Sequence, residues 1–136
     1  MEFDARRHLL LYSGSSHPEL AEEVAKQLGT TLSEVDVQQF ADGEIYVRFL
    51  NSVRGADVFV VQTHSDPVND HIVETLIMID ALKRASAGRI TVVLPYFPYS
   101  RQDKKHLARE PISAKLMADL LNAAGANRVM SVDLHA

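Results

Sequence analysis

Short apolar runs alternate with helical patterns along this sequence, and this alternation restricts the possible folds more than any other feature. Four short, mainly apolar runs have the pattern of strands: residues 9–12, 58–61, 89–94 and 129–132. The second is continuous, as expected of a strand covered on both faces. A longer segment with helical spacing follows each of the first three runs. Because parallel strands need a long crossover connection, usually a helix, the sequence predicts an α/β fold with a doubly wound, mostly parallel sheet flanked by helices.

Three helices are predicted, at residues 18–28, 69–87 and 113–124. Pro18 suits the first position of the first helix, because the N–H that proline lacks would have no helical partner there. Asn69 or Asp70 can cap the second helix, which we expect to be largely buried. A glycine follows each of the three segments and is expected to end the helix.

Residues 35–47 have a shorter and more polar pattern than the other strand candidates. Asp42-Gly43 lies between Val37 on one side and Ile45 on the other. The dipeptide Asp-Gly is favoured in tight turns between antiparallel strands. This segment is therefore predicted to be a hairpin, or a strand with a tight turn.

The composition excludes several classes of protein. With 136 residues, 46% of them hydrophobic, the chain suits one globular domain with its own core. It contains no cysteine, which excludes a disulfide framework and suits a reducing cytoplasm, the predicted location. Its net charge of −4 argues against nucleic-acid binding, which usually needs a basic surplus. No apolar run reaches about 18 residues, so no membrane segment is expected.

The last apolar run, at residues 129–132, has the pattern of a central strand, yet the sequence ends at Ala136. Nothing remains after it to continue the alternation of strands and helices. We therefore expect this chain to be a fragment of a longer protein that continues into a second α/β domain. The alternative is that another chain completes the domain.

Ligands of open α/β sheets bind outside the carboxyl ends of the parallel strands, so the residues that follow each predicted strand are the first candidates for a site. Residues 13–16 form a turn of small residues before the first helix, where exposed N–H groups can hold an anion. The turn lacks the spacing of a phosphate-binding P-loop and of a dinucleotide fingerprint. An ordinary helix cap is the favoured interpretation.

A basic segment, residues 96–111, follows the strand predicted at 89–94. Four lysines and arginines crowd against two acids there, in a chain that is acidic as a whole. Such a cluster suits a polyanion such as a nucleoside triphosphate, to which arginine gives forked contacts and lysine a point charge. Charge alone supports a solvated loop equally well. The aromatic residues that precede the cations favour a functional role.

Asp133 and His135 follow the last predicted strand. Residues two apart on a strand point to the same side, so the carboxylate and the imidazole could converge on one divalent ion such as Mg²⁺. Taken alone, this pattern is more often a surface pair than a metal site. The other histidines lack the spacing of zinc ligands and are interpreted as surface or capping residues: His8, His17, His64, His71 and His106.

Seven segments, in this order, closely resemble the phosphoribosyl pyrophosphate synthetase (ribose-phosphate diphosphokinase) family: residues 12–17, 40–45, 52–55, 76–87, 95–105, 109–115 and 132–136. Two of them read Phe40-Ala41-Asp42-Gly43-Glu44-Ile45 and Arg101-Gln102-Asp103-Lys104-Lys105. The resemblance extends from Leu11 to Ala136. It implies a phosphoribosyltransferase-like α/β fold and makes residues 1–136 the N-terminal, ATP-binding domain of a two-domain enzyme.

This resemblance implies transfer of a diphosphoryl group from Mg-ATP to the C1 hydroxyl of ribose 5-phosphate, with release of AMP. The ATP-binding residues that it implies are Phe40, Asp42, Gly43, Glu44, Arg101 and Gln102. Phe40 would stack on adenine, and its loop reaches the site of a neighbouring subunit in the family. A homo-oligomer, built as a dimer-based hexamer, is implied as well.

Three further groups of residues gain roles from the resemblance. Lys104 and Lys105 would offset the charge of the ATP phosphates. Asp133 and His135 match the metal-binding motif and would hold Mg²⁺. In regulated members of the family, the positions of Ser52, Arg54 and Arg109 bind phosphate or ADP at an allosteric site between subunits.

The chain departs from the family pattern because it ends where the family continues for a comparable second half. The flexible-loop lysine and arginine of catalysis and the acidic motif that holds ribose 5-phosphate lie beyond residue 136, so the segment alone is expected to be inactive. His106 stands where relatives often have an acid. A non-catalytic protein that associates with the synthetase and regulates it is the alternative; the intact residues 101–105 favour the enzyme. A phosphoribosyltransferase with another acceptor is disfavoured, because the acidic motif is missing here.

Overall fold

The computed structural model describes residues 8–133, and the side chains of residues 8–131. Within this range the chain forms a series of strands and helices that begins with a strand at the amino end. In chain order they are β1 (Leu9–Ser13), α1 (Pro18–Gln27), β2 (Val35–Gln39), β3 (Ile45–Phe49), β4 (Asp57–Val61), α2 (Val68–Arg84), β5 (Arg89–Tyr96), α3 (Ser113–Ala124) and β6 (Arg128–Asp133).

The main sheet has the strand order β1-β4-β5-β6, and all of its pairings are parallel. The predicted mostly parallel α/β fold is therefore confirmed. Among the described residues β6 pairs only with β5, so its being a central strand of the longer protein stays a prediction. Val129 and Met130 on this edge strand are 40% and 50% exposed. An apolar run marks a strand but does not tell whether both of its edges are paired.

Helices cover both faces of the sheet. Successive side chains of a strand point to opposite faces, so neighbouring residues of β1 pack against different helices. Leu11 packs with Ala21 and Ala25 of α1 in one core cluster. Leu10 and Tyr12 belong to the larger cluster on the other face, to which α2 contributes Met78, Ile79 and Leu82 and α3 contributes Leu121. The chain therefore has three layers, with the sheet in the middle.

The hairpin predicted at residues 35–47 is confirmed as the antiparallel pair β2–β3, with Val37 opposite Val47. One face of the hairpin packs on the larger core cluster through Val35, Val47 and Phe49. The ring of Phe49 meets that of Tyr12 edge to face, with 4.7 Å between centroids and 83° between planes. This packing joins the base of the hairpin to the sheet.

The helix ends agree with the sequence at some positions and not at others. Pro18 begins α1, and α3 runs from Ser113 to Ala124 before Gly125, as predicted. The prediction that Asn69 or Asp70 caps α2 is wrong: this helix begins at Val68, after Pro67. It also ends at Arg84, ahead of the glycine at position 88. Six of its 17 residues are buried and six more are half-buried, so the helix is largely buried, as predicted. None of the helices in the described range is both long and apolar enough to span a membrane.

Candidate functional site

The turn at residues 13–16 lies at the carboxyl edge of the sheet, but its N–H groups already have partners. The Ser15 N–H donates to Glu74 Oε2 at 2.7 Å, and the Ser16 N–H donates to Gln62 Oε1 at 3.2 Å. Glu74 also accepts hydrogen bonds from the Ser15 hydroxyl and, at 2.8 Å, from Gln62 Nε2. The turn therefore binds the protein's own carboxylate and amide, which argues against an open anion site here.

This polar network needs a glycine at position 14. A Cβ built on Gly14 would lie 2.1 Å from Gln62 Oε1, far inside van der Waals contact. Gln62 is buried and its Nε2 is bound to Glu74, so it could move away only by breaking this hydrogen bond. The sequence interpretation missed this network. Glu74 could have indicated it, because this residue lies among apolar residues of the predicted helix, and a buried carboxylate needs hydrogen-bond partners.

His64 follows β4 and is not a surface or capping residue, contrary to the sequence interpretation. The Thr75 hydroxyl donates to the His71 carbonyl at 2.9 Å, which leaves its oxygen to accept from His64 Nε2 at 3.0 Å. The other ring nitrogen, Nδ1, is buried and has no hydrogen-bond partner among the described residues. Burial, with a smaller contribution from the nearby His71, lowers the pKa of His64 to about 4.

We expect this histidine to make folding pH-dependent. Its pKa is about 6.5 when unfolded and about 4 when folded, so the unfolded state binds more protons in this window. Stability is therefore present above pH 6.5 and is lost as the pH falls towards 4, by about 2 kcal/mol between pH 7 and pH 5. The measurement is thermal unfolding of the full-length protein and of His64→Gln across this range. The difference in unfolding free energy between the wild type and His64→Gln should shrink as the pH falls. Parallel pH profiles of the two proteins would contradict the prediction. His106→Gln, at an exposed position, is the control.

The basic segment forms the loop between β5 and α3, residues 97–112, at the same carboxyl edge. All the cations predicted to contact ligands in this loop are exposed: Arg101, Lys104, Lys105 and Arg109. None of them forms an ion pair with another residue in the described part of the chain. Among the described residues, therefore, no ion pair neutralises these cations, and their exposed side chains can reach an anionic ligand.

The backbone of this loop is organised by local hydrogen bonds. The Gln102 N–H donates to the Tyr99 carbonyl at 2.9 Å, and the Gln102 carbonyl accepts from Ala114 N–H at 3.0 Å, on the first turn of α3. Glu110 Oε1 accepts from the N–H groups of His106 and Leu107 at 3.2 and 2.7 Å. These contacts hold the cations in a folded loop and not in an extended tail.

The tip of the β2–β3 hairpin carries the predicted adenine-contacting residues. Phe40 is 50% exposed, and its ring lies 6.3 Å from that of Tyr46. The turn is closed by the Phe40 N–H donating to the Glu44 carbonyl at 2.7 Å and by Asp42 Oδ1 accepting from Glu44 N–H at 3.0 Å. Gly43 has φ +95°, which favours glycine. An exposed aromatic ring on a rigid turn is free to stack on a flat ligand.

The hairpin tip and the basic loop approach the same element, the first turn of α2. Gln39 Nε2 donates to Asp70 Oδ2 at a long 3.4 Å, and the Tyr99 hydroxyl donates to Asn69 Oδ1 at 2.6 Å. A cavity of about 230 Å³ lies between the hairpin and this turn, and Glu74 is among its lining residues. Both segments predicted to contact ATP are thus attached to the carboxyl edge of the sheet.

The structure does not bring Ser52 and Arg54 to Arg109. Arg54 pairs with Ala87 in an isolated bridge just before β4, at the amino edge of the sheet. Arg109 lies in the loop after β5, at the carboxyl edge. The strand β5 has eight residues and spans roughly 25 Å from one edge of the sheet to the other. Within one chain, the predicted allosteric residues are at opposite edges of the sheet.

The predicted metal site is only partly within the described residues. The Asp133 backbone ends β6 beside Tyr96, where the basic loop begins, and His135 lies outside the described range. No cluster of three or more metal-ligating side chains occurs among the residues whose placement is described.

Parallel α/β sheets bind their ligands outside the carboxyl ends of the strands, and exposed arginines and lysines at that edge suit a phosphorylated ligand. Comparison with known proteins identifies the family. Residues 9–125 match the family model of the N-terminal domain of ribose phosphate pyrophosphokinase, and the chain belongs to this family.

Relatives of known name agree with this assignment. The chain is 61% identical over 132 residues to a ribose-phosphate pyrophosphokinase of Mycobacterium leprae (strain TN), with 97% of this chain and 40% of the relative covered. It is 57% identical over 129 residues to one of Streptomyces coelicolor, with 95% and 40% covered. The crystal structure of phosphoribosylpyrophosphate synthetase from Mycobacterium smegmatis matches with a TM-score of 0.94 and 58% identity, over 96% of this chain and 44% of that one. This chain therefore spans about two fifths of the length of these relatives.

Proposed function

We propose that the full-length protein is a ribose-phosphate diphosphokinase and that this chain supplies its ATP-binding half. The enzyme would transfer a diphosphoryl group from Mg-ATP to ribose 5-phosphate and release AMP. The observation that carries the proposal is the common location of the two candidate ATP-contacting segments. The basic loop contacts the first turn of α2 through Tyr99, two residues before Arg101, and the hairpin contacts the same turn through Gln39, next to Phe40. Relatives of that name at about 60% identity support it.

The roles follow from the chemistry of each side chain. Arg101 gives forked hydrogen bonds to phosphate oxygens, and Gln102 adds an amide next to it. Lys104 and Lys105 offset phosphate charge as point charges. At the hairpin, Phe40 stacks on adenine, while Asp42 and Glu44 accept hydrogen bonds from its polar edge and Gly43 shapes the turn.

Mg²⁺ would be held by Asp133 and His135 together with the phosphates of ATP. The carboxylate of Asp133 fits this ion, since Mg²⁺ uses few protein carboxylates and completes its octahedron with phosphate oxygens and water. When bound, the ion neutralises charge on the transferred group. The position of the Asp133 backbone beside the start of the basic loop is in keeping with this role.

A homo-oligomer is part of the proposal. The separation of Arg54 from Arg109 across the sheet means that an allosteric site using both, with Ser52, needs residues from more than one subunit. The resemblance also implies an oligomer through the hairpin, because Phe40 would contact ATP bound in the site of a neighbouring subunit. A dimer-based hexamer and a cytoplasmic location stay predictions.

The direct test is an assay of the full-length protein with Mg-ATP and ribose 5-phosphate. Formation of phosphoribosyl pyrophosphate and AMP in equal amounts supports the proposal. Binding of ATP without turnover would favour the regulatory relative instead. The 136-residue chain is expected to be inactive alone, because it spans about two fifths of its relatives.

Phe40→Ala in the full-length protein is expected to raise the KM for ATP by about tenfold. The loss of one base-aromatic stacking contact typically costs about 1–3 kcal/mol. The KM for ribose 5-phosphate should change little, because the ring is proposed to contact only the base. Steady-state kinetics measure both constants.

Leu50→Ala is the matched control for this variant. Leu50 is exposed like Phe40 but lies beyond the other end of β3. It should leave both KM values unchanged. Equal effects of Phe40→Ala on the two substrates would instead assign Phe40 a structural role.

A further inference from the structure

A side-chain hydrogen bond connects the basic loop to α2. The hydroxyl of Tyr99 donates to Oδ1 of Asn69 with 2.6 Å between oxygens, across 30 positions of sequence. Asn69 lies in the first turn of α2, and Tyr99 lies two residues before Arg101. Their side chains help to line a shallow concavity of about 560 Å³ over this turn. The contact therefore joins the candidate ATP loop to a helix that is packed in the core.

The backbone conformation of Tyr99 indicates that hydrogen bonds hold this residue in place. Tyr99 has φ +61°, a left-handed conformation that costs a non-glycine residue energy. Such a conformation persists only where neighbouring interactions hold it. Here these are the hydroxyl bond to Asn69 and the Gln102 N–H that donates to the Tyr99 carbonyl.

Arg101 lies between two fixed points. On one side, Tyr99 is bound to α2 through Asn69. On the other side, the Gln102 carbonyl accepts from Ala114 N–H at the start of α3. Two anchors three residues apart leave the Arg101 backbone little freedom, while its side chain stays exposed.

We infer that Tyr99 and Asn69 form a positioning pair that aims Arg101 and Gln102 at the ATP phosphates. The inference rests on the proposed function. Neither residue of the pair is assigned to contact the substrate. Their effect is to hold the Arg101 backbone so that its guanidinium is oriented before ATP binds. This matters because a displacement of about 1 Å in a positioning group can cost on the order of 100-fold in rate.

A purely structural role would have a different signature. Asn69 is exposed and Tyr99 is only half-buried, so the bond contributes little to the stability of the fold. Loss of the bond should therefore affect the use of ATP far more than it affects thermal unfolding or the use of ribose 5-phosphate.

The experiment is a double-mutant cycle in the full-length protein with Tyr99→Phe, Asn69→Ala and the double variant. Each single change should lower kcat/KM for ATP by about tenfold, with the KM for ribose 5-phosphate and the melting temperature nearly unchanged. The double variant should be no worse than either single variant, because both remove the same bond. Asn122→Ala is the matched control for Asn69→Ala: this asparagine is exposed near the end of α3, away from the proposed site. It should behave like the wild type.

Several outcomes would overturn the inference. They are normal ATP kinetics in Tyr99→Phe, additive losses in the double variant, or equal losses for both substrates. A wild-type protein that forms no product and binds no ATP in calorimetry would overturn the proposed function and this inference together. An active wild type with an unaffected Tyr99→Phe variant would overturn this inference alone.

Discussion

Arg101→Ala in the full-length protein is expected to lower kcat/KM for ATP by on the order of 100-fold or more. The side chain is exposed at the carboxyl edge of the sheet and forms no ion pair with the other described residues. If it contacts the ATP phosphates, its charge acts where negative charge shifts during diphosphoryl transfer. Loss of one such donor typically costs a few kcal/mol of transition-state stabilisation. Because the residue supports no core packing, the melting temperature should barely change.

Arg84→Ala is the comparison for this variant. Arg84 is an exposed arginine near the end of α2, in an i,i+4 pair with Asp80. A solvated pair of this kind contributes only a few tenths of a kcal/mol, so activity and stability should stay near normal. Steady-state kinetics and thermal melts of both variants show whether Arg101 acts on ATP or is only a solvated charge. Near-normal activity of Arg101→Ala would reduce the loop to a solvated run of charge.

Glu74→Ala is expected to destabilise the fold by about 4 kcal/mol. The carboxylate is only 4% exposed and accepts hydrogen bonds from Ser15 N–H, from the Ser15 hydroxyl and from Gln62 Nε2. Its removal leaves the buried Gln62 amide with only a long 3.5 Å hydrogen bond to the His71 carbonyl and removes the charged acceptor of both Ser15 donors, which can turn to water. Hydrogen bonds to a charged group contribute about 1.5–3 kcal/mol each. Thermal unfolding of the full-length protein measures the loss.

Hydrogen exchange tests the mechanism behind that loss. The Ser15 amide should exchange much faster in Glu74→Ala, because this amide loses its partner. Glu22→Ala is the control, since Glu22 is exposed on α1 and should change stability by less than about 0.5 kcal/mol. Unchanged protection of Ser15 would show that the turn is held by other contacts.

The parts of the fold that were predictable depend on local patterns. The alternation of apolar runs and helical segments gave the parallel strands, and Asp42-Gly43 gave the hairpin. Pro18 marked a helix start because proline fixes φ and lacks an N–H, and Gly125 marked a helix end because glycine readily adopts a positive φ, here +128°. The cations of the candidate site were also visible, since charge clustering is a property of the sequence itself.

The contacts that position the site could not be predicted in this way. Ser15 and Glu74 are 59 positions apart, and Tyr99 and Asn69 are 30 apart. Asn69 was a reasonable helix cap by type, but the side chain is used for a distant partner. Helix caps compete with such tertiary contacts, and only the fold decides between them. The separation of Arg54 from Arg109 depends on strand direction, which composition does not encode.

The edge position of β6 has a practical consequence for work with this chain by itself. Among the described residues, the outer backbone N–H and C=O groups of this strand face no partner, and the apolar side chains of Val129 and Met130 are exposed next to them. An open, apolar strand edge is a template onto which another polypeptide can add a strand. Purified alone at high concentration, the 136-residue chain would be prone to self-association through this edge.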